Sequence, residues 1–355
     1  MKILYGVTGE GLGHTMRARA LAEELTAQGH TVCLAASSRA APILRGHGFE
    51  TIAIDGFRLA YRRGAVERAR TLASLAYSAP HAIRRNVEAA LVDARAFRPD
   101  AVITDFDSFS YLVGWLHDVP IVSFDHQHVV DRCRHPRDVL KRVSRDFRAT
   151  RAIVRAKTPG CSHFVVSSFF FPPVRVEKSA STTLVGPVLR REIVDARRER
   201  GDHVLVYQTS NGDPRLLPSL LANDRIRFRV YGAGPARTSG HVELRDFDER
   251  SFIEDLATAR GVIANGGFTT IAEALYLGKP ILSVPIRHQG EQELNAAWLE
   301  ALGYGMRARR IDGVVVRAFV ERIEERASEP ALDARLTTGR ADAFRAVHRA
   351  LAEAA

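Results

Sequence analysis

The chain has 355 residues, 46% of them hydrophobic and 26% charged, which is the balance of an ordinary globular protein with length for roughly two domains of ~150 residues each. No apolar run reaches the ~18 residues of a membrane span, and Met1-Lys2 leads into a strand without a signal-peptide pattern, so a cytoplasmic protein is expected. Three scattered cysteines, Cys33, Cys133 and Cys161, suit neither a disulfide framework nor a zinc site, and they are expected to be unreactive thiols.

The net charge of +10 is unevenly spread. Arg132, Arg134, Arg137, Lys141, Arg142, Arg145, Arg148, Arg151, Arg155 and Lys157 are opposed locally only by Asp138 and Asp146, and a second group runs from Arg58 to Arg85 among Leu59, Tyr61, Leu72, Leu75 and Tyr77. Such segments suit an anionic acceptor or the anionic inner face of a membrane, and equally the solvated faces of arginine-rich helices. No recognition motif accompanies the charge, so nucleic acid is not an expected partner.

Short apolar runs at 2–7, 31–36, 51–54, 101–104, 121–124 and 163–166 alternate with helical stretches such as 15–28, 65–97 and 108–117. This is βαβ repetition and predicts an α/β fold with a parallel sheet. The first turn, Gly9-Glu10-Gly11-Leu12-Gly13-His14, approaches a dinucleotide fingerprint but places His14 where the third glycine belongs. The second strand ends in Ala36-Ser37-Ser38, without the acid that binds an adenosine ribose, which argues against a dinucleotide-dependent oxidoreductase.

Asp105-Phe106-Asp107 follows the fourth run, and Asp125-His126-Gln127-His128 follows the fifth. The D-x-D spacing is one that holds Mn²⁺ or Mg²⁺ against a diphosphate in other proteins. His126 and His128 lack a third ligand for a metal and are expected, with Asp107, to contact an acceptor, or else to form a structural loop network.

Phe171-Pro172-Pro173 and the polar stretch to Gly186-Pro187 interrupt the alternation, which restarts at 203. The expected organisation is a domain over 1–172, a linker over 173–200, a second domain over 201–330 and a terminal helix over 331–355. In the second half, Gln208-Thr209-Ser210-Asn211-Gly212 offers hydroxyl and N–H donors to phosphate, and Arg245-Asp246-Phe247 is expected to hold a base.

The most informative segment runs from Asn265 to Asn295. A buried strand at 261–264 stops at Asn265-Gly266-Gly267, and a helix over 269–277 begins there. The first N–H groups of that helix lack partners within it and its dipole is positive, which favours an anion by about 0.3–1 kcal/mol. Gly266 and Gly267 allow close approach, Thr269 and Thr270 add hydroxyl donors, and Glu273 can accept from two ribose hydroxyls. Thr270 and Glu273 also fit a capping box, a purely structural use. Beyond the next strand, Glu291-Gln292 can hold a sugar.

This ordered, thirty-residue pattern resembles the donor-binding signature of GT-B glycosyltransferases, with two departures: Asn265 stands where the family has His, and Thr269 where it has a third Gly. The resemblance implies GT-B architecture, two facing Rossmann-like domains with parallel sheets and a cleft between them, and a terminal helix that crosses back to the first domain. It implies a donor that is a nucleotide diphosphate sugar, UDP by default, with no cofactor besides this co-substrate and no metal, since the helix end can neutralise the leaving diphosphate. The first turn resembles the family's Gly-x-Gly-x-Gly-His opening, in which His14 is the base and Gly11 and Gly13 allow close approach; the alternative is that His14 merely caps the following helix. Asp105, with Asp107 in reserve, is expected to orient His14. The expected activity is inverting transfer of a sugar to an acceptor hydroxyl. The alternatives are a nucleotide-sugar epimerase of the same fold and a non-catalytic sugar-nucleotide binding module.

Overall fold

The computed structural model describes the chain apart from residues 10–11, 38–39, 57–60, 63–64, 67–79, 145–146, 209–212, 326–331 and 355. Two seven-stranded sheets organise it. In the first, β1 (Lys2–Val7), β2 (Thr31–Ser37), β3 (Thr51–Ile54), β6 (Ala101–Asp105), β7 (Ile121–Asp125), β8 (His163–Ser167) and β9 (Thr182–Val185) lie in the order β3-β2-β1-β6-β7-β8-β9, all parallel. A hairpin of β4 (Tyr61–Arg62) and β5 (Ala65–Val66) stands apart. The second sheet holds β10 (His203–Tyr207), β11 (Arg227–Tyr231), β12 (Arg237–Ser239), β13 (Val242–Arg245), β14 (Gly261–Ala264), β15 (Ile281–Ser283) and β16 (Gly305–Arg307). Its order is β12-β13-β11-β10-β14-β15-β16, and only the edge strand β12 runs antiparallel.

The central strands are almost continuous apolar runs because helices cover both of their faces. In each sheet the winding reverses beside the first strand, between β1 and β6 and between β10 and β14. At such a point neighbouring loops leave in opposite directions and open a crevice at the carboxyl ends of the strands. The architecture is GT-B.

Two boundaries differ from the sequence expectation. The stretch 173–200 is not only a connector, because Thr182–Val185 pairs with β8 as the last strand of the first sheet. Of the long helix expected over 65–97, residues 80–97 are helical, with a π turn at Ala90–Ala94, Ala65–Val66 is extended, and 67–79 lie outside the described residues. The terminal helix, Arg335–Ala354, buries Phe344, Val347, Ala350 and Leu351 in the same core as Ile3, Tyr5, Leu21 and Phe124 of the first half. It docks through a backbone approach at two glycines: a Cβ on Gly339 would lie 2.4 Å from the Gly186 carbonyl carbon.

The halves share apolar contacts, with Phe170 stacked on Trp298 at 5.1 Å. The Trp298 indole donates to His135 Nδ1 at 3.1 Å, and burial pulls the His135 imidazole down to about 4. All three cysteines are free and buried, and burial pushes each thiol up to about 12. No helix among the described residues is long and apolar enough to cross a membrane.

Candidate active site

The register of the first sheet sets Val7 of β1 opposite Asp105 at the end of β6. The chain then enters the helix Leu12–Ala27, whose first turn carries His14 back over Asp105. Asp105 is fully buried, and its Oδ1 lies 2.9 Å from His14 Nδ1. The next residue, Phe106, has φ +54°, a left-handed conformation that costs a side-chain-bearing residue energy and turns the chain sharply there. On the other side of the imidazole, Gln127 Nε2 lies 3.1 Å from His14 Nε2.

Two members of this cluster escaped the sequence reading. Arg17, three residues after His14 on the same helix face, is buried and donates from Nη2 to Asp105 Oδ1 at 2.5 Å. The same nitrogen is 3.0 Å from His14 Nδ1. Burial alone would lower the Arg17 pKa, but the Asp105 charge overrides it and the guanidinium is held cationic. The i to i+3 spacing was the available signal. Gln127 gave none beyond its place in a polar loop.

The second half brings its own turn to the same place. The helix Phe268–Tyr276 is capped by Gly267 without a side-chain hydrogen bond, and the Thr269 and Thr270 hydroxyls bond to no described residue. A Cβ on Gly13 would fall 2.4 Å from Thr269 Oγ1, so the N-terminal turns of two helices from different halves meet. Their partial positive charges converge on one spot. Gly267 has open space around it, whereas Gly266 is confined by the Gln292 backbone, 2.3 Å from where its Cβ would be. Asn265 is buried and donates to the Val284 carbonyl at 3.1 Å. Phe247 is 42% exposed at the edge of an aromatic group with Tyr207, Tyr231 and Phe252. Glu291 is half-buried and forms no ion pair among the described residues. Gly11, Thr209 and Ser210 lie outside the described residues.

Several of the expected site residues have partners within the protein. The Gln292 side-chain oxygen accepts from Gly266 N–H at 3.2 Å and Ile286 N–H at 3.1 Å, so it braces the loop. The Thr270–Glu273 capping box is absent: Gly267 is the cap, and the Glu273 carboxylate is gripped by Arg190, Nε at 2.7 Å and Nη2 at 2.9 Å. Both Glu273 oxygens are therefore engaged by a guanidinium. Arg190 also donates to Glu249 at 2.9 Å, and despite the opposing effect of burial these carboxylates hold its pKa high.

Asp107 caps the helix Ser108–Leu116 by accepting from Ser110 N–H at 2.8 Å, and burial raises its pKa. The carboxylate bonded to His14 is that of Asp105. The two D-x-D carboxylates diverge, and no group of three His, Cys, Asp or Glu among the described residues could hold a metal. His126 is buried between the halves, with Nδ1 2.7 Å from the Ser167 carbonyl, Nε2 2.8 Å from Asn295 Oδ1, and its ring stacked on Phe268 at 4.1 Å. Burial lowers its pKa. His128 is bound at Nδ1 to Asp125 Oδ2, 2.6 Å, inside the first half. Burial would raise the Asp125 carboxyl, but the His128 ring and the surrounding hydrogen bonds hold it well below the usual carboxylate range. Both histidines are thus held by partners within the protein.

Part of the first basic stretch is used internally. Arg151 and Arg155 pair with the buried Asp131, and Arg132 lies over the Phe164 ring at 3.7 Å.

The family described as "Glycosyl transferase family 1" matches residues 1–324. A protein of Methanosarcina acetivorans described as an uncharacterized glycosyltransferase is 25% identical over 86% of this chain and 85% of its own. The UDP-N-acetylglucosamine--N-acetylmuramyl-(pentapeptide) pyrophosphoryl-undecaprenol N-acetylglucosamine transferase of Geobacter sulfurreducens is 26% identical over 86% of this chain and 84% of its own. Among solved structures, the Arabidopsis thaliana protein UGT89C1 complexed with quercetin superposes with a TM-score of 0.65 over 99% of this chain and 98% of its own, at 16% identity. The spinosyn rhamnosyltransferase complexed with thymidine diphosphate superposes with a TM-score of 0.61 over 99% and 96%, at 18% identity.

Removing one partner of the buried Arg190–Glu273 pair strands the other charge, so Glu273→Ala and Arg190→Ala should each lower unfolding free energy by ~3–5 kcal/mol in urea titrations. The double variant should lose less than the sum of the two. Losses under about 1 kcal/mol for both single variants would show that the pair carries little, as exposed pairs do.

Proposed function

Because the chain belongs to glycosyl transferase family 1 and is a glycosyltransferase, we propose that it moves a sugar from a nucleotide diphosphate sugar, with UDP the expected nucleotide, to an acceptor hydroxyl with inversion and without a metal. The observation that carries this reading is the meeting of Gly13 with Thr269, which brings the His14–Asp105 pair beside the free N-terminal turn of Phe268–Tyr276.

In this mechanism Asp105 accepts His14 Nδ1–H, which puts the ring's lone pair on Nε2, where the acceptor hydroxyl takes the place of the Gln127 amide and gives up its proton. As the acceptor O–H bond breaks, its oxygen bonds the anomeric carbon on the face opposite the phosphate, and the departing C–O pair goes to the diphosphate. That negative charge falls on the N–H groups at Gly267 and on the Thr269 and Thr270 hydroxyls, donors already oriented before the reaction. Gly13 supplies the close approach, Gly11, Thr209 and Ser210 further contacts, and exposed Phe247 a ring for the base to rest on. Support for metal independence comes from the donor set: Asp105 Oδ1 is taken by His14 and Arg17, and Asp107 caps a helix.

The protein is also proposed to rest on an anionic membrane surface. Ile83, Val87 and Leu91, at successive turns of one helix face, are exposed beside exposed Leu112, Trp115 and Leu116, with Arg84, Arg85 and Arg95 alongside. An apolar stripe flanked by arginines fits the headgroup boundary of an anionic bilayer.

His14→Ala should lose about 10²- to 10⁴-fold in transfer rate with donor affinity kept, measured by mass spectrometry of products from UDP-sugars offered lipid, polysaccharide and small aglycone acceptors. Full activity in that variant would remove the base assignment, and isomerised donor formed without acceptor would select an epimerase. The wild-type chain should cosediment with phosphatidylglycerol vesicles more than with phosphatidylcholine vesicles, and Trp115→Ser with Leu91→Ser should abolish the difference; equal sedimentation with both lipids would dismiss the membrane proposal.

A further inference from the structure

We infer that Arg17 is the positioning residue that keeps His14 unprotonated, and therefore able to act as a base, by neutralising Asp105 in its place. The inference rests on the reading of His14 as the base. Its ground is the sharing of one oxygen: Asp105 Oδ1 receives both His14 Nδ1, at 2.9 Å, and Arg17 Nη2, at 2.5 Å. A carboxylate with no contact to water needs a cation beside it. If the imidazole were its only partner, the pair would be neutral only by holding a proton between the two groups, and whenever the ring carries that proton it cannot take one from the acceptor.

Arg17 removes that conflict. Its guanidinium is always charged, so the carboxylate is balanced without calling on the imidazole. Its Nη2 lies 3.0 Å from His14 Nδ1, so a second positive charge on the ring would sit directly against it. The guanidinium is enclosed, 6.0 Å from the Phe124 ring centre and 5.8 Å from that of Phe268, which belongs to the opposite half of the chain. Solvent screening of the two charges is correspondingly weak.

The other groups around the pair do not supply an alternative cation. From β1 comes the Tyr5 hydroxyl, which is buried and without a hydrogen-bond partner among the described residues. From the segment after β7 come the Gln127 amide at His14 Nε2, the Asp125 carboxylate, bound to His128, and His126, whose pKa burial lowers and whose two ring nitrogens are taken by the Ser167 carbonyl and Asn295 rather than by Asp105. From the opposite half come the Thr269 and Thr270 hydroxyls. With Arg17 in place, Asp105 and Arg17 sum to zero while His14 is neutral, and the cluster becomes positive only after His14 takes the acceptor proton, when the departing diphosphate is negative.

Diethyl pyrocarbonate, which acylates only unprotonated imidazole, reads this directly when His14 modification is followed by peptide mass spectrometry between pH 5 and 9 on the full chain. Arg17→Met should shift the midpoint of His14 modification upward by about one pH unit or more, and Arg17→Lys should return most of that shift. A purely structural role would lower the plateau or the melting temperature without moving the midpoint. A midpoint in Arg17→Met within about 0.2 pH unit of wild type, in a protein that still melts cooperatively, overturns the inference. If Arg17→Met does not fold, Arg17→Lys and Arg17→Gln give the same comparison. Because the readout is protonation and not turnover, an active His14→Ala variant would defeat the base reading alone.

Discussion

The contact of Gly13 with Thr269 is the constraint on which the rest of the site depends. Each belongs to the first turn of a helix that follows the first or a central strand of its own sheet, where unpaired N–H groups and the dipole make a positive end. Setting two such ends together costs electrostatic energy in an empty cleft and is relieved by an anion between them. The absence of a side chain at position 13 permits the approach; any Cβ there would collide with the threonine. The two halves therefore meet here, each contributing one helix end.

That arrangement is held by polar and aromatic contacts that cross the halves. His126, from the loop after β7, stacks on Phe268 and reaches Asn295, which donates in turn to the Gly266 carbonyl at 3.0 Å. Gln292 ties the Gly266 N–H to that of Ile286. On the far side, Arg190 in the connecting segment binds Glu273 and Glu249, while Arg19 of the first helix binds Glu192 through both carboxylate oxygens. These groups sit behind Thr269 and His14 and fix where those residues stand. The terminal helix adds to this by packing against the first sheet after the chain has already built the second.

Much of the architecture was readable from local pattern. The buried strands announced themselves as short apolar runs, and the turn Asn265-Gly266-Gly267 before an amphipathic helix marked the second switch point. His14 and Asp105 could be paired because both follow adjacent parallel strands at the same sheet edge. The edge strand Thr182–Val185 was missed because it is short, half polar and set in a stretch rich in turn residues. Partnerships across long separations were invisible for a different reason. Glu273 and Arg190 are 83 residues apart, and nothing in either neighbourhood specifies the other. The carboxylates and histidines at 105–107 and 125–128 looked alike in sequence. Which of them reaches the cleft depends on the left-handed turn at Phe106 and on the burial of the loop after β7.

The most direct test of the composite site is a crystal structure with UDP bound. The account predicts the diphosphate between the two helix ends, within hydrogen-bonding distance, ~3 Å, of the N–H groups at Gly267 and of the Thr269 and Thr270 hydroxyls, with its terminal phosphate turned toward His14. A diphosphate bound elsewhere, or turned away from the interface of the two halves while UDP saturates the protein in solution, would contradict it.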